Sequence, residues 1–365
     1  MPPEDKKASS RVAKRSSLIL LVFAAAMLVT YPKFFRQRVQ SDLYLPWRAA
    51  RAVFLEHRSP YSQQLTAESQ QSFYGRELVP SESQLDQRRF AYPVYATLPL
   101  VPVMVLPIRV AEDIFLIFLL VVSAASVIFW VDALQVQTTK FTVCALVAAS
   151  MASPPVLQGL ALRQLGLLVA ALIAASAAAA RRGNLLLAGA LLAVSTIKPQ
   201  EALLTVLLMM FWSLRSGKKF AIGFGVTLLG LVIGGEMASP GWVRQFLTNM
   251  VAYRRYAGAS GAEILLGKQL GPLFTALVML WLGRRVWNAR NSHDFVRPLT
   301  LVLGIQLLIV PGLFALYNAV LLLPAALLLI RPALPAPVKS NGGSAGFSGI
   351  SSTGVVRPDQ DQPGL

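Results

Sequence analysis

Long apolar runs separated by short clusters of lysine and arginine recur along this chain, and that alternation restricts its fold more than any other feature. A bilayer crossing needs about 20 apolar residues in a helix. Ten runs approach that length, near 16–34, 113–136, 141–157, 165–180, 184–197, 201–214, 220–237, 270–283, 296–312 and 315–331. With 55% hydrophobic residues, 14% charged residues and a mean hydropathy of +0.56, no soluble domain is expected. The sequence predicts an all-α polytopic membrane protein.

The formal charge of +17 would suggest nucleic acid as a partner for a soluble chain. Here the basic residues fall between the apolar runs, which is the pattern of membrane topology, so no nucleic-acid partner is expected. A basic arm over 1–15 (Lys6, Lys7, Arg11, Lys14, Arg15) precedes the first run, read as an uncleaved signal-anchor. One further apolar stretch, 91–107, contains Pro93, Pro99, Pro102 and Pro107. Proline breaks helical hydrogen bonding, so this stretch is read as a re-entrant or interfacial segment within a long external loop, 35–112. Both termini are then cytoplasmic, and the inner loops carry Lys140, Arg181, Arg182, Arg215, Lys218, Lys219, Arg284, Arg285 and Arg290. Counting 91–107 as a crossing would invert all of these clusters. The membrane domain is expected over 16–331, followed by a Pro-, Gly- and Ser-rich tail, 332–365, expected to be disordered.

The same topology gathers the unusual polar residues on the outer face: Asp42, Gln158, Arg163, Gln164, Lys198, Glu236, Tyr317 and Asn318. Two outer segments are amphipathic at helical spacing. Trp47, Ala50 and Phe54 share one face while Arg48, Arg51 and Arg58 lie elsewhere; Trp242, Phe246, Met250 and Tyr253 recur in the second. Both are expected to lie in the membrane interface. The single cysteine, Cys144, permits no intrachain disulfide, and two distant histidines, His57 and His293, give no metal-ligand spacing.

Several of these residues carry two readings. Asp42, just beyond the first run, is placed either as a general base for a substrate at headgroup level or as the N-cap of a helix beginning at Leu43. Lys198 either holds a phosphate as a point charge or snorkels from a helix end. Arg163 offers the bidentate alternative for a phosphate. Arg48, Arg51 and Arg58 either steer a lipid phosphate or meet anionic headgroups without enzymatic purpose. Glu236 is a second outer carboxylate or an ordinary helix-end residue, and His57 reads as solvated.

Motifs in order along the chain add a resemblance. "SDLYLPWRAARAVFLEHRSPYS" has an aspartate, an aromatic, small residues on a helix, then Pro-Tyr. "FAYPVYATLPLVPVMVLP" follows, then "RQLGLLVAALIAASAAAARRGNLLLAGALLAVSTIKPQEALL" and "LYNAVLLLPAALLL". Over 42–329 this order resembles glycosyltransferase family 87, of the GT-C class of membrane glycosyltransferases. The resemblance implies a GT-C-like bundle of about ten transmembrane helices. It implies transfer of a hexose, typically mannose, from a polyprenyl-phosphate hexose donor to a glycan or glycolipid acceptor. The reaction would be inverting, on the outer face of a bacterial plasma membrane, with membrane lipid around the enzyme. Asp42 matches the expected base. Lys198, Arg163, Arg48 and Arg51 are candidates for the donor phosphate; Gln164, Tyr92, Tyr317, Asn318 and Glu236 are candidates for substrate contact. No cofactor beyond the lipid-linked co-substrate and no metal ligands are implied, and metal dependence stays open. Two departures stand out. The family's Gly-Gln-Xaa-Asn turn is here Arg163-Gln164-Leu165-Gly166, and its histidine before the last span is absent from "VPGLFALYNAV", where only Pro311 and Tyr317 match. A transporter of lipid-linked sugars and a catalytically silent relative are the alternative readings.

Overall fold

The computed structural model describes residues 41–253, 258–289, 292–310, 313 and 315–333, with Leu18, Val22 and Ala25 as isolated positions. The basic arm, nearly all of the expected first crossing, Pro311 and nearly all of the tail lie outside the described residues. Among the described residues all regular structure is helical. In chain order the α-helices are α1 (Tyr44–Phe54), α2 (Gln63–Tyr74), α3 (Ile108–Ala133), α4 (Lys140–Met151), α5 (Pro154–Ala161), α6 (Leu165–Arg181), α7 (Leu185–Ser195), α8 (Pro199–Ser216), α9 (Lys218–Ala238), α10 (Trp242–Tyr253), α11 (Gly261–Asn288), α12 (Ser292–Ile309) and α13 (Leu323–Ile330).

Three of these, α3, α9 and α11, are long and apolar enough to cross a bilayer, and the bent pair α4–α5 makes a fourth if taken as one span. α8 has 18 residues but is not apolar enough, and the runs expected near 165–180, 184–197, 296–312 and 315–331 take the form of shorter apolar helices, where length explains the difference. At about 1.5 Å per residue, the 11 residues of α7 reach little more than half of a ~30 Å hydrocarbon core. The expected run 141–157 is one segment in sequence but turns by 58° between α4 and α5. Pro154 and Pro155 open α5, and a residue before proline is pushed out of the helical region. The last expected run begins as a 3-10 helix, Leu316–Leu322, before Pro324 starts the last α-helical turns.

α6 is buried almost all round, and its alanines let α3 and α7 pack closely on it. α7 and α9 approach still nearer. A Cβ at Gly189 would stand 2.1 Å from the Phe220 carbonyl oxygen, and one at Gly223 would stand 2.1 Å from that of Leu186. Only glycine permits this contact on both sides. Outward, α9 exposes Ile222, Val226, Leu229 and Ile233, while α11 exposes Leu270, Leu273, Leu277 and Leu280. Such continuous apolar faces suit a hydrocarbon solvent rather than water.

The first loop folds onto this bundle. α1 buries Leu45, Trp47, Ala49, Ala50 and Val53, so its apolar face is covered by protein, mostly by the stretch Val94–Val103. The proline-rich stretch is a ten-residue 3-10 helix containing Pro99 and Pro102, with Val94, Tyr95, Ala96, Thr97 and Leu100 buried. Missing N–H groups favour the looser hydrogen-bonding demand of this short form. α2, which lacks an apolar stripe, is fixed at its ends: the Ser62 hydroxyl accepts from the Leu65 N–H, and Gly75 closes it at φ 73°. In α10, Trp242 and Phe246 are buried while Met250 and Tyr253 are exposed, so the expected stripe serves two surroundings.

Candidate active site

Asp42 enters the bundle through its backbone. Its N–H donates to the Leu162 carbonyl at 2.9 Å, which ties the first loop to the turn between α5 and α6. The side chain does not cap α1: the N-cap is Leu43, with no side-chain cap bond. The capping alternative for Asp42 is therefore overturned. The local turn is held instead by Ser41, whose hydroxyl accepts from the Leu43 N–H at 3.1 Å.

With its capping role removed, the Asp42 carboxylate faces the α5–α6 turn. Gln164 Nε2 donates to Asp42 Oδ2, and Gln164 Oε1 accepts from Lys198 Nζ at 3.0 Å. Lys198 is in turn paired with Glu201 and lies 4.9 Å over the Tyr317 ring. Sequence spacing makes this meeting natural. α6 and α7 form an antiparallel hairpin, so Gln164 at the start of one and Lys198 just past the end of the other return to the same level. Pro199 at the first position of α8 sends the chain back and leaves Glu201 one turn in, on the face of Lys198.

The other oxygen of Asp42 meets a residue that sequence reasoning missed. Arg88 Nη1 lies 3.6 Å from Asp42 Oδ1 and 3.5 Å from Asp86 Oδ2, and its guanidinium stacks 4.1 Å over Phe73. Nothing in "DQRRF" distinguishes Arg88 from its neighbour. The backbone does: Arg88 has φ 52°, and Arg163, adjoining the Leu162 carbonyl that receives Asp42, has φ 53°. Left-handed non-glycine residues are uncommon and gather where surrounding structure imposes them.

Asp42 is neither solvated nor sealed, with 33% of its side chain exposed. Burial pushes its carboxyl above the ordinary aspartate value, against the opposing pull of Arg88, Lys198 and the Gln164 hydrogen bond. A carboxylate moved upward in this way is a better proton acceptor at neutral pH than a solvated one.

The remaining candidates divide. Tyr92, Tyr317 and Lys198 share this electrostatic neighbourhood with Asp42. Asn318 is buried beside Tyr317, donates to the Leu313 carbonyl at 3.1 Å and leaves its Oδ1 without a partner. Arg163 turns its guanidinium onto the carbonyls of Leu160 and Ala161. Arg48 pairs with Glu56 and Glu68, and Arg51 donates to the Met104 carbonyl while stacking on Trp47. Glu236 accepts from the Gly241 N–H at 2.6 Å, closing the turn after α9. These four thus have structural partners of their own. Glu201 is the second residue that sequence reasoning missed; its i,i+3 spacing to Lys198 was the available signal.

A glycosyltransferase family model matches residues 90–340, well over half of the chain, so the protein is a membrane glycosyltransferase. That model is the one for Glycosyltransferase family 87, and the chain belongs to this family. Gln164, Lys198, Glu201 and Tyr317 fall inside the matched region; Asp42 and Arg88 precede it. No curated protein and no solved structure matches the chain.

Proposed function

We propose that this glycosyltransferase moves a hexose, mannose by its resemblance, from a polyprenyl phosphate to an acceptor hydroxyl on the outer face of the membrane, with Asp42 as general base. The observation that carries the reading is the placement of the Asp42 carboxylate: partly exposed, its pKa raised by burial, and met by different partners at its two oxygens. The acceptor oxygen attacks the anomeric carbon as its proton passes to Asp42. The bond from that carbon to the phosphate oxygen breaks, and polyprenyl phosphate leaves with the electron pair. One displacement inverts the anomeric centre. Because the leaving group is already a stabilised anion, no second carboxyl is needed to protonate it, in contrast to glycoside hydrolysis.

Arg88 is the arginine nearest the base, and both of its ionic contacts are long, at 3.6 and 3.5 Å. An arriving phosphate oxygen would compete for that guanidinium. On this reading Arg88 takes the donor-phosphate role that the sequence offered to Lys198, Arg163, Arg48 and Arg51. The amphipathic loop helices, the outward apolar faces and the family membership support a lipid-linked donor.

The test is transfer by purified protein in nanodiscs with a panel of polyprenyl-phosphate hexoses, comparing wild type with Asp42→Asn. The expected result is turnover by wild type and loss of 10²- to 10⁴-fold in the variant, roughly the worth of a general base. Equal turnover by both removes Asp42 from the chemistry. Donor binding with no transfer or hydrolysis for any acceptor tried favours the silent-relative reading.

A further inference from the structure

We propose that Gln164 and the buried Lys198–Glu201 pair form a positioning relay that holds one oxygen of Asp42 with an amide donor and leaves the other, met only by the long 3.6 Å contact from Arg88, to take the acceptor's proton. The proposal rests on the reading of Asp42 as base, and it gives Lys198 a different task from the phosphate ligand suggested by sequence.

The chemistry of the three groups fixes the direction of the relay. An ammonium has donors only and a carboxylate has acceptors only. Gln164 lies between them, with Lys198 Nζ 3.0 Å from Oε1 and Asp42 on the Nε2 side. The amide therefore has one satisfactory orientation, and Lys198 selects it. Were the amide reversed, an N–H would meet the ammonium and a carbonyl oxygen would meet the carboxylate. Gln164 also occupies the N-cap position of α6, yet its side chain makes no cap bond; it is committed to Asp42 and Lys198 instead.

Lys198 is 3% exposed and Glu201 1%, so neither charge is left over from the surface. A buried ion pair is weak as a source of stability and calls for another explanation. Three features brace it. Gly166 has no side chain where a Cβ would stand 2.7 Å from Glu201 Oε2, so the carboxylate settles against the first turn of α6, where the helix dipole favours negative charge. From α12, Gln306 Nε2 donates to the Glu201 carbonyl at 3.1 Å, and Thr205 donates to Gln306 Oε1 at 3.2 Å. The Tyr317 ring covers the ammonium. Lys198 is thereby held too deeply, and with too many partners, to receive a phosphate without dismantling the pair.

Charge reversal separates positioning from simple pairing. In Lys198→Glu/Glu201→Lys the ion pair is kept but a carboxylate faces Gln164 Oε1, so the amide turns over and presents its oxygen to Asp42. The readouts are kcat, donor KM and the titration of Asp42, followed by carboxyl ¹³C NMR of aspartate-labelled protein in nanodiscs and assigned with Asp42→Asn. The other groups around Asp42 are Arg88 and Asp86 from the loop and the phenols of Tyr92, Tyr253 and Tyr317; all are common to every arm. The expected result is an Asp42 midpoint raised by about one unit or more, and raised above that of Gln164→Met/Lys198→Glu/Glu201→Lys, which carries the same charges with no amide to turn; a midpoint no higher than in that variant overturns the relay. kcat should fall roughly ten- to hundredfold, the scale on which loss of a supporting contact acts, with donor KM changed less than about threefold. An unchanged midpoint and kcat overturn the relay. A raised KM with an unchanged midpoint also overturns it and returns Lys198 to the phosphate. If the reversed pair does not fold, Lys198→Met/Glu201→Gln carries the same test, with the same direction and a smaller shift. A wild-type enzyme inactive with every donor would count against the base reading alone, because the NMR midpoint judges the relay without turnover.

Discussion

Removing one member of the buried pair should destabilise this protein more than removing both. In Lys198→Met, Glu201 is left at 1% exposure, beside the helix start of α6 but without its cation. For a solvent-exposed pair the loss would be about 0–1 kcal/mol. That figure does not apply at 3% and 1% exposure, where breaking a buried pair costs about 3–5 kcal/mol because the surviving charge is uncompensated. The double variant Lys198→Met/Glu201→Gln removes both charges with little change in volume and should lose about 1 kcal/mol, chiefly the hydrogen bond to Gln164. A double-mutant cycle in mixed detergent, followed by intrinsic tryptophan fluorescence, should then give a coupling of at least about 2 kcal/mol. Trp212 is a suitable reporter, being buried against Phe220 and Phe295 with its indole donating to the Ala289 carbonyl at 2.8 Å. A single variant costing under about 1 kcal/mol, or losses that simply add, would refute the claim that this pair is desolvated and mutually dependent.

The pH dependence of kcat/KM should show an acid limb above the ordinary aspartate value, since Asp42 must be ionised to act and burial raises its pKa; a limb at or below that value counts against it. The same shift makes Asp42 a stability liability at neutral pH. The folded state holds the proton more tightly than the unfolded, so stability falls as pH rises through the raised pKa, and Asp42→Asn should melt higher than wild type at pH 7. Gly189→Ala should cost about 1–3 kcal/mol through overpacking, because its Cβ would stand 2.1 Å from the Phe220 carbonyl; thermal unfolding in detergent checks this. Arg48→Ala should leave donor KM unchanged and lower stability by about 1 kcal/mol, since Arg48 is bound to Glu56 and Glu68; a large rise in KM would restore it to the donor site.

The helical class and the apolar segments were legible because hydrophobic runs, basic clusters and prolines act locally. Pro154 and Pro155 are a signal of the same kind, and reading them as a break would have divided 141–157 in advance. The packing was less legible. Nothing about Gly189 in an apolar run reveals that a carbonyl of α9 will approach it, because the constraint comes from a helix some thirty residues further on. α2 shows the opposite failure: it has no apolar stripe, and its existence follows from Ser62 and Gly75 at its ends.

Around Asp42 the sequence singled out some residues that the fold brings together and others that it keeps apart. Asp42, Gln164, Lys198 and Tyr317 come together as expected, because hairpin topology returns them to one level. Arg48, Arg51, Arg163 and Glu236 were grouped with them by charge and by side of the membrane, and side alone does not bring groups into contact. What separates the two sets is satisfaction. Each member of the second set spends its polar atoms on groups outside this cluster, Arg51 on a carbonyl 53 residues away and the others on nearer carboxylates, carbonyls or an N–H, whereas the first set closes on Asp42: Gln164 to Asp42 across 122 residues, and Lys198 to Gln164 across 34. Arg88 belongs to the first set for the same reason, bridging Asp42 and Asp86 from a strained φ of 52°. Polar closure on Asp42, rather than charge on the expected face, is therefore the property that marks this site. By that property Glu201, paired with Lys198 and seated on α6 through Gly166, is as much a part of the site as the carboxylate at its mouth.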